Sequence, residues 1–245
     1  MGTGRGKALV TGGGSGIGLT VAKQLAAEGY VPVITGRNAD KLAATGFEYA
    51  VMDVTDRDAV FATAESHGPF AVVVSNAGIA PTAPALKTGA DLWGSVIATN
   101  LTGTYNVAMA TLPAMVDAGA GRFIAIASTS ALRAYRYTMA YAASKHGVLG
   151  LVRSLALELA KTGVTCNAVC PGFTDTEIVR GSIRGIMEKT GRSEEEAMKA
   201  FTGNNPMERL VAPEEVAAIV TWLCSAGAAS VNGAAVPVDG GELAG

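Results

Sequence analysis

The first apolar run of the chain, Lys7-Ala-Leu-Val-Thr11, leads straight into Gly12-Gly-Gly-Ser15-Gly16-Ile17-Gly18 and then into the helical spacing of Leu19, Val21, Ala22, Leu25 and Ala26. Strand, glycine loop and helix in that order leave few folds open. The glycines let backbone approach a charged group closely, and a helix start offers unpaired N–H groups and the positive end of its dipole to an anion. An ordinary tight turn explains the string less well, because both flanking elements are those that a pyrophosphate site requires. Gly12, Ser15, Gly16, Ile17 and Gly18 are therefore the expected cradle of a dinucleotide.

The stretch Val31-Pro-Val-Ile-Thr-Gly36 reads as the second strand, and Arg37 follows it. A carboxylate at that point would accept hydrogen bonds from adenosine ribose hydroxyls, whereas a guanidinium suits a 2′-phosphate. NADP(H) is expected over NAD(H), which remains possible if Arg37 is merely solvated. Lys41 either adds charge there or sits on a helix surface. Glu48 to Met52 forms a third strand, and the carboxylate of Asp53, before Val54, either bonds an adenine amino group or caps the residues after it. After a helix from Arg57 to Ser66 comes a strand from Ala71 to Val74 and the turn Ser75-Asn76-Ala77-Gly78, where small residues with one amide suit close passage of a cofactor. A helix from about Asp91 to Asp117 contains Asn100, and Arg122 to Ser128 is a buried strand ending in a hydroxyl. The remaining elements are a helix from Met139 to Lys161, a strand from Val164 to Val169 before Pro171-Gly172, a helix from Pro213 to Cys224, and a strand from Ala234 to Val238. Strands and helices alternate without a linker or a repeat, so one doubly wound parallel α/β sheet in a single domain, residues 1–245, is the economical fold.

Composition removes several classes of function. A net charge of −2 with scattered Lys and Arg gives no basic stripe for nucleic acid. No apolar run reaches the roughly 18 residues needed to cross a bilayer, and no charged and apolar leader opens the chain, so a soluble cytoplasmic protein without membrane partners is expected. Met1-Gly2 resembles a myristoylation start, but Gly6 stands where that signal needs Ser or Thr. Cys166, Cys170 and Cys224 are expected as reduced, buried thiols. With only His67 and His146 as imidazoles, no metal site is expected.

Tyr141 and Lys145 lie one helical turn apart, so phenol and ammonium face one small volume. A phenol of reference pKa about 10 works as an acid–base group at neutral pH only if its anion is favoured, and Lys145 supplies a positive charge for that. Ser128 ends the strand before this helix. The three together would place a proton donor, a tuner and a hydrogen-bonding hydroxyl around one substrate oxygen.

Thr11-Gly12-x-x-x-Gly16-x-Gly18, Asn76-Ala77-Gly78, Asn100, Ser128, Tyr141-x-x-x-Lys145 and Pro171-Gly172 occur in the order found in short-chain dehydrogenases/reductases. The chain resembles the compact, single-domain branch of that family over nearly its whole length. The resemblance implies a Rossmann-like fold with seven parallel strands and helices on both faces, and hydride transfer between a nicotinamide and a carbonyl or carbinol carbon. It makes Tyr141 the general acid in reduction and Ser128 the hydroxyl that steadies the substrate oxygen. Lys145 would bind the nicotinamide ribose and lower the phenol's pKa, and Asn100 would hold a water linking Lys145 to solvent. Asn100 is also a plausible helix N-cap, and Ser130 competes with Ser128. The family usually has Asn where this chain has Ser75.

Residues 173–212 are too long for a bare connection and carry Phe173, Ile178, Val179, Ile183, Ile186, Met187, Met198, Phe201 and Met207, with Arg180, Arg184, Lys189 and Arg192. Ser193-Glu-Glu-Glu reads as a helix start. The resemblance makes this segment a substrate lid, with Thr174 and Thr176 beside the cofactor's carboxamide; the alternative is a helical hairpin with a solvated basic face. An apolar cleft with Arg133 and Arg136 on its rim suits a 3-oxoacyl or 3-hydroxyacyl thioester, linked to coenzyme A or a carrier protein. Two alternatives stay open, a cyclic, aromatic or polyketide-type ketone turned over with NAD(H) and a non-catalytic dinucleotide-binding regulator. The helix after Met139 is apolar on more than one side, which implies a covering subunit, and the family's habit extends this from a homodimer to a homotetramer.

Overall fold

The structure is a computed structural model, and it describes residues 5–244. The Met1-Gly2 start lies outside the described residues. Seven short apolar runs form parallel strands: β1 Lys7–Thr11, β2 Val31–Gly36, β3 Glu48–Val51, β4 Phe70–Ser75, β5 Gly121–Ile126, β6 Val164–Pro171 and β7 Ala235–Val238. They form one sheet in the order β3-β2-β1-β4-β5-β6-β7. The register places Leu9 beside Val33 on one side and Val73 on the other. The order reverses between β1 and β4, so the connections after these two strands diverge to opposite faces. They leave a crevice at the carboxyl ends, the place where doubly wound sheets bind ligands.

Side chains alternate between the faces of each strand, and this alternation divides the core. Leu9, Val33, Val73, Phe123 and Ala125 point to one side, where α3 (Arg57–His67), α5 (Gly103–Asp117) and α6 (Met139–Glu158) cover them. Ala8, Val10, Ile34, Val72, Val74 and Ile124 point to the other, against α1 (Gly16–Ala27), α2 (Ala39–Ala43) and α9 (Pro213–Leu223). Val21 and Leu25 of α1 are fully buried, and each contributes roughly 2 kcal/mol of hydrophobic stabilisation. That packing holds α1 in place although no side chain caps its first turn. The doubly wound α/β architecture expected from the sequence is the observed one.

Two features matter for the site. The helix expected from Asp91 to Asp117 is divided: α4 (Ala90–Ile97) leads into a π turn, Ala98–Thr102, and then into α5. The segment after Pro171-Gly172 is a helical hairpin, α7 (Glu177–Thr190) and α8 (Glu194–Thr202). Ser193 starts α8 in a capping box with Glu196, as the Ser-Glu-Glu-Glu pattern suggests. On the outer face of α4 to α6, where a second subunit is expected, Trp93, Tyr105 and Leu157 are exposed. No helix among the described residues is long and apolar enough to cross a membrane.

Candidate active site

The end of β1 and the turn after β4 are clamped together. Asn76 donates its side-chain Nδ2–H to the Thr11 carbonyl at 2.9 Å and the Gly12 carbonyl at 3.3 Å, while Thr11 Oγ1 accepts the Asn76 and Ala77 N–H groups, each at 3.0 Å. The clamp explains two glycines. Gly12 has φ +65° and a Cβ there would lie 2.9 Å from Asn76 Nδ2; a Cβ on Gly18 would lie 2.6 Å from the same atom. Close approach of backbone to a pyrophosphate requires such a bare surface. The first N–H groups of α1, which no side chain caps, open beside it as donors for an anion. The residues present therefore fit a dinucleotide phosphate.

A cavity of about 370 Å³ starts at this loop and continues across the carboxyl ends of β4, β5 and β6. Gly12, Ser15, Gly16 and Ile17 line its phosphate end, and Asn76, Ala77 and Gly78 its floor. Ser128, Tyr141 and Lys145 meet in its middle, and Pro171, Gly172, Thr174 and Thr176 close the side towards the hairpin. Gly18, Arg37, Asp53, Val54 and Asn100 do not line it. Gly18 acts from below, through the close contact just described. Val54 is buried under Gly103 and Asn106. Asp53 accepts the Thr55 N–H at 2.9 Å and the Thr55 hydroxyl at 2.8 Å, closing the turn after β3. Arg37 stands opposite Asp53, Nη1 to Oδ2 3.9 Å, with 73% of its side chain exposed. An ion pair so exposed is worth under about 1 kcal/mol, which leaves the guanidinium free to turn to a stronger anion.

Asn100 lies within the π turn and caps no helix N-terminus, so its N-cap reading is wrong. Its Oδ1 accepts the Ile79 N–H at 2.9 Å, and its Nδ2 donates to the Ile79 carbonyl at 2.9 Å and to Ser144 Oγ at 3.1 Å. Ser144 in turn donates to the Tyr141 carbonyl at 2.7 Å. One buried amide thus ties the loop after Gly78 to the helix that carries Tyr141 and Lys145. The Asn100 backbone carbonyl accepts from Thr104 Oγ1 at 2.8 Å, and it and Oδ1 each keep a second lone pair that a water could use. Asn100→Ala would leave the Ile79 N–H and C=O without their side-chain partner in a partly buried place. It should lower unfolding stability by about 3 kcal/mol in urea titration, and a loss below about 1 kcal/mol would contradict this reading.

The Lys145 Nζ–H donates to the Ile126 carbonyl at 2.8 Å, and Nζ sits 5.7 Å from the centre of the Tyr141 ring, over its face. Burial raises the Tyr141 pKa above its ordinary value, against a lowering by the Ser128 hydroxyl. The same burial brings Lys145 down to about 8. Ser130 also lines the cavity; it is the Ser128 hydroxyl whose proximity lowers the phenol's pKa.

The expected arginine rim is otherwise engaged. Arg180 is paired bidentately with Asp175, both bonds 2.7 Å, and Arg184 with Glu177. Arg133 donates to the Glu242 carbonyl at 3.2 Å and stacks over Tyr135, and Arg136 is exposed. Phe173, Ile178, Val179 and Phe201 of the hairpin segment do face the cavity. Sequence reasoning missed Tyr135 and Thr138, which line the cavity from the loop before α6. It also missed Glu242, whose Oε1 accepts the Tyr135 hydroxyl at 2.8 Å. The three cysteines are buried thiols, and no cluster of three or more His, Cys, Asp or Glu able to hold a metal occurs among the described residues.

Residues 12–242 match a family model described as enoyl-(acyl carrier protein) reductase. A putative ketoacyl reductase of Streptomyces coelicolor is 39% identical over 249 residues, covering 96% of this chain and 95% of its own. The 3-oxoacyl-(acyl-carrier-protein) reductase MabA of Mycobacterium tuberculosis is 40% identical over 237 residues, covering 95% and 91%. Among solved structures, an actinorhodin polyketide ketoreductase variant with NADPH superposes with a TM-score of 0.91 at 37% identity, over 96% of each chain.

Proposed function

We infer a ketoreductase reaction from one premise: this chain belongs to the short-chain dehydrogenase/reductase family of oxidoreductases. The reaction is reduction of a 3-oxoacyl thioester, carried by coenzyme A or an acyl carrier protein, to the 3-hydroxy form with NADPH. The names of the relatives support the substrate class, and NADPH in the ketoreductase structure supports the cofactor. The observation that carries the reading is the meeting of Tyr141, Ser128 and Lys145 in the cavity that begins at the glycine loop.

When bound there, NADPH supplies hydride from its nicotinamide. The chain's own residues handle the proton. Burial keeps the Tyr141 phenol protonated at neutral pH, the state required of an acid. It gives that proton to the carbonyl oxygen as negative charge develops, with the Ser128 hydroxyl donating to the same oxygen. The phenolate left behind is stabilised by the nearby Lys145 ammonium, whose position Ile126 fixes. Lys145 thus tunes the phenol after proton transfer more than before it. Residues 173–212 serve as the lid, their apolar side chains forming the wall that receives the acyl chain. The ring edges of Tyr135, Phe173 and Phe201 on that wall favour a second substrate, a polyketide-type ketone, which differs in the acyl part alone.

Spectrophotometric NADPH consumption with a panel of 3-oxoacyl thioesters and free cyclic ketones tests this. Turnover of the thioesters is expected, and activity confined to free ketones would overturn the substrate class. Arg37→Asp removes a charge-assisted contact to the 2′-phosphate and sets a carboxylate in its place. The preference of kcat/KM for NADPH over NADH should fall by roughly 100-fold, and an unchanged preference would remove Arg37 from cofactor selection.

A further inference from the structure

After β7 the chain turns back over the carboxyl end of the sheet. The Asp239 carboxylate holds this turn by accepting the N–H groups of Gly241 and Leu243, each at 3.0 Å. The turn delivers Glu242 to a place where it is 4% exposed. There the side chain reaches Tyr135, 107 residues away in sequence, and accepts its hydroxyl at 2.8 Å. The Glu242 carbonyl takes the Arg133 Nη1–H at 3.2 Å, and the Arg133 guanidinium lies 5.4 Å from the centre of the Tyr135 ring. Tyr135 meets Phe173 edge-on at 6.2 Å, and Phe173 meets Phe201 edge-on at 5.1 Å. All three rings line the cavity, whereas Glu242 does not.

A buried carboxylate is a poor choice for filling space, since an apolar side chain of similar volume carries no desolvation penalty. What Glu242 offers is direction. A phenol on a loop has two side-chain torsions and a free hydroxyl, and a charged acceptor at one end fixes both. Burial first, and then the bond to Glu242 acting against a lowering by Thr129, pushes the Tyr135 phenol up to about 12, so it stays a donor across the working pH range. The position of Tyr135 then sets that of Phe173 at the base of the hairpin and of Phe201 in α8.

We propose that Glu242 is a positioning residue for substrate selection, acting through Tyr135 to hold the aromatic wall against which the distal part of the acyl chain packs. The proposal rests on the ketoreductase reading for the identity of that chain. Long or bulky acyl groups reach the wall and depend on Glu242; a 3-oxobutanoyl group, ending short of it, does not.

The test is calorimetric titration of NADPH-saturated protein with decanoyl-N-acetylcysteamine thioester, which has the chain but no reducible ketone. Loss of a hydrogen bond to a charged acceptor should weaken its binding about tenfold in Glu242→Ala and equally in Tyr135→Phe. The double variant should be no weaker than either single one, since both remove the same bond. Glu242→Gln keeps a neutral acceptor and should restore affinity to within about threefold. In turnover by Glu242→Ala, KM for 3-oxodecanoyl thioester should rise with kcat unchanged, KM for 3-oxobutanoyl thioester should not move, and NADPH affinity should hold. Additive losses, equal losses for short and long chains, weakened NADPH binding, or a wild type that does not bind the probe would overturn the proposal. If Glu242→Ala does not fold, Tyr135→Phe tests the same bond from the other side. Because the probe is never reduced, binding decides on Glu242 even if the wild type reduces no thioester, a result that would sink the ketoreductase reading alone.

Discussion

Replacing Tyr141 with phenylalanine should lower kcat for a 3-oxoacyl thioester by about 10³-fold, within the range of general acid catalysis, while NADPH affinity changes by less than about twofold. The ring stays, so the face beneath Lys145 and the cavity wall are kept, and only the hydroxyl is lost. That hydroxyl is the donor closest in kind to what a developing alkoxide needs, because burial leaves it protonated. Ser128 still donates to the oxygen in the variant, which is why residual turnover is expected above the uncatalysed rate. Single-turnover kinetics with NADPH already bound separate the chemical step from binding. A variant keeping more than about a tenth of wild-type kcat would mean that another group, water or Ser128, supplies the proton.

Lys145→Met should move activity and stability in opposite directions. Activity should fall by about 10²-fold or more, because the phenolate left after proton transfer loses its compensating charge. Stability should rise. Lys145 is 5% exposed, and burial lowers its pKa from 10.5 to about 8. At pH 7 the folded protein therefore holds a charge that it would rather release, a penalty of about 3 kcal/mol by linkage. Methionine removes that penalty and fills similar volume, but it leaves the Ile126 carbonyl without its donor at about 1 kcal/mol, for a net gain of about 2 kcal/mol. The sign follows from the lowered pKa. Below pH 8 both folded and unfolded lysine are protonated and the wild type bears the full penalty. Between about 8 and 10.5 the unfolded chain binds more protons, so wild-type stability climbs with pH and the advantage of the variant fades. Denaturant titrations of the cofactor-free protein at pH 7 and pH 10 read this directly. A variant less stable than wild type at pH 7 would show that the ammonium is satisfied by its surroundings more fully than one carbonyl allows.

The parts of this molecule that were legible in its sequence are those set by local pattern. Runs such as Leu9-Val10 and Val72-Val73-Val74 read as strands buried on both faces, and the glycine string announced the turn between β1 and α1. The π turn was not legible, because Asn100 owes its setting to Ile79 and Ser144, partners that a helical pattern does not reveal. The orientation of Lys145 was hidden for the same reason: the spacing from Tyr141 is local, but the Ile126 carbonyl that holds its ammonium belongs to a strand. Arg180 pairs with Asp175, five residues back and outside the helix, and Arg184 with Glu177, seven residues back, so neither ion pair follows the three- and four-residue spacing of a helix face and the pairing of these arginines was not legible either. Nothing in the local sequence around Glu242 pointed to Tyr135. Contacts that far apart are decided by how the tail after β7 folds back, and that is where the least readable part of the site lies.

We infer that this chain reduces a carbonyl, with Tyr141 supplying the proton to oxygen and NADPH the hydride to carbon. Incubating the protein with NADPH deuterated at the transferred position of C4, together with a 3-oxoacyl thioester, and locating the label by mass spectrometry and NMR measures this directly. One deuterium on C3 of a 3-hydroxyacyl product is the predicted result. Absence of label at C3, or label appearing only in a saturated product formed from an enoyl thioester, would contradict it.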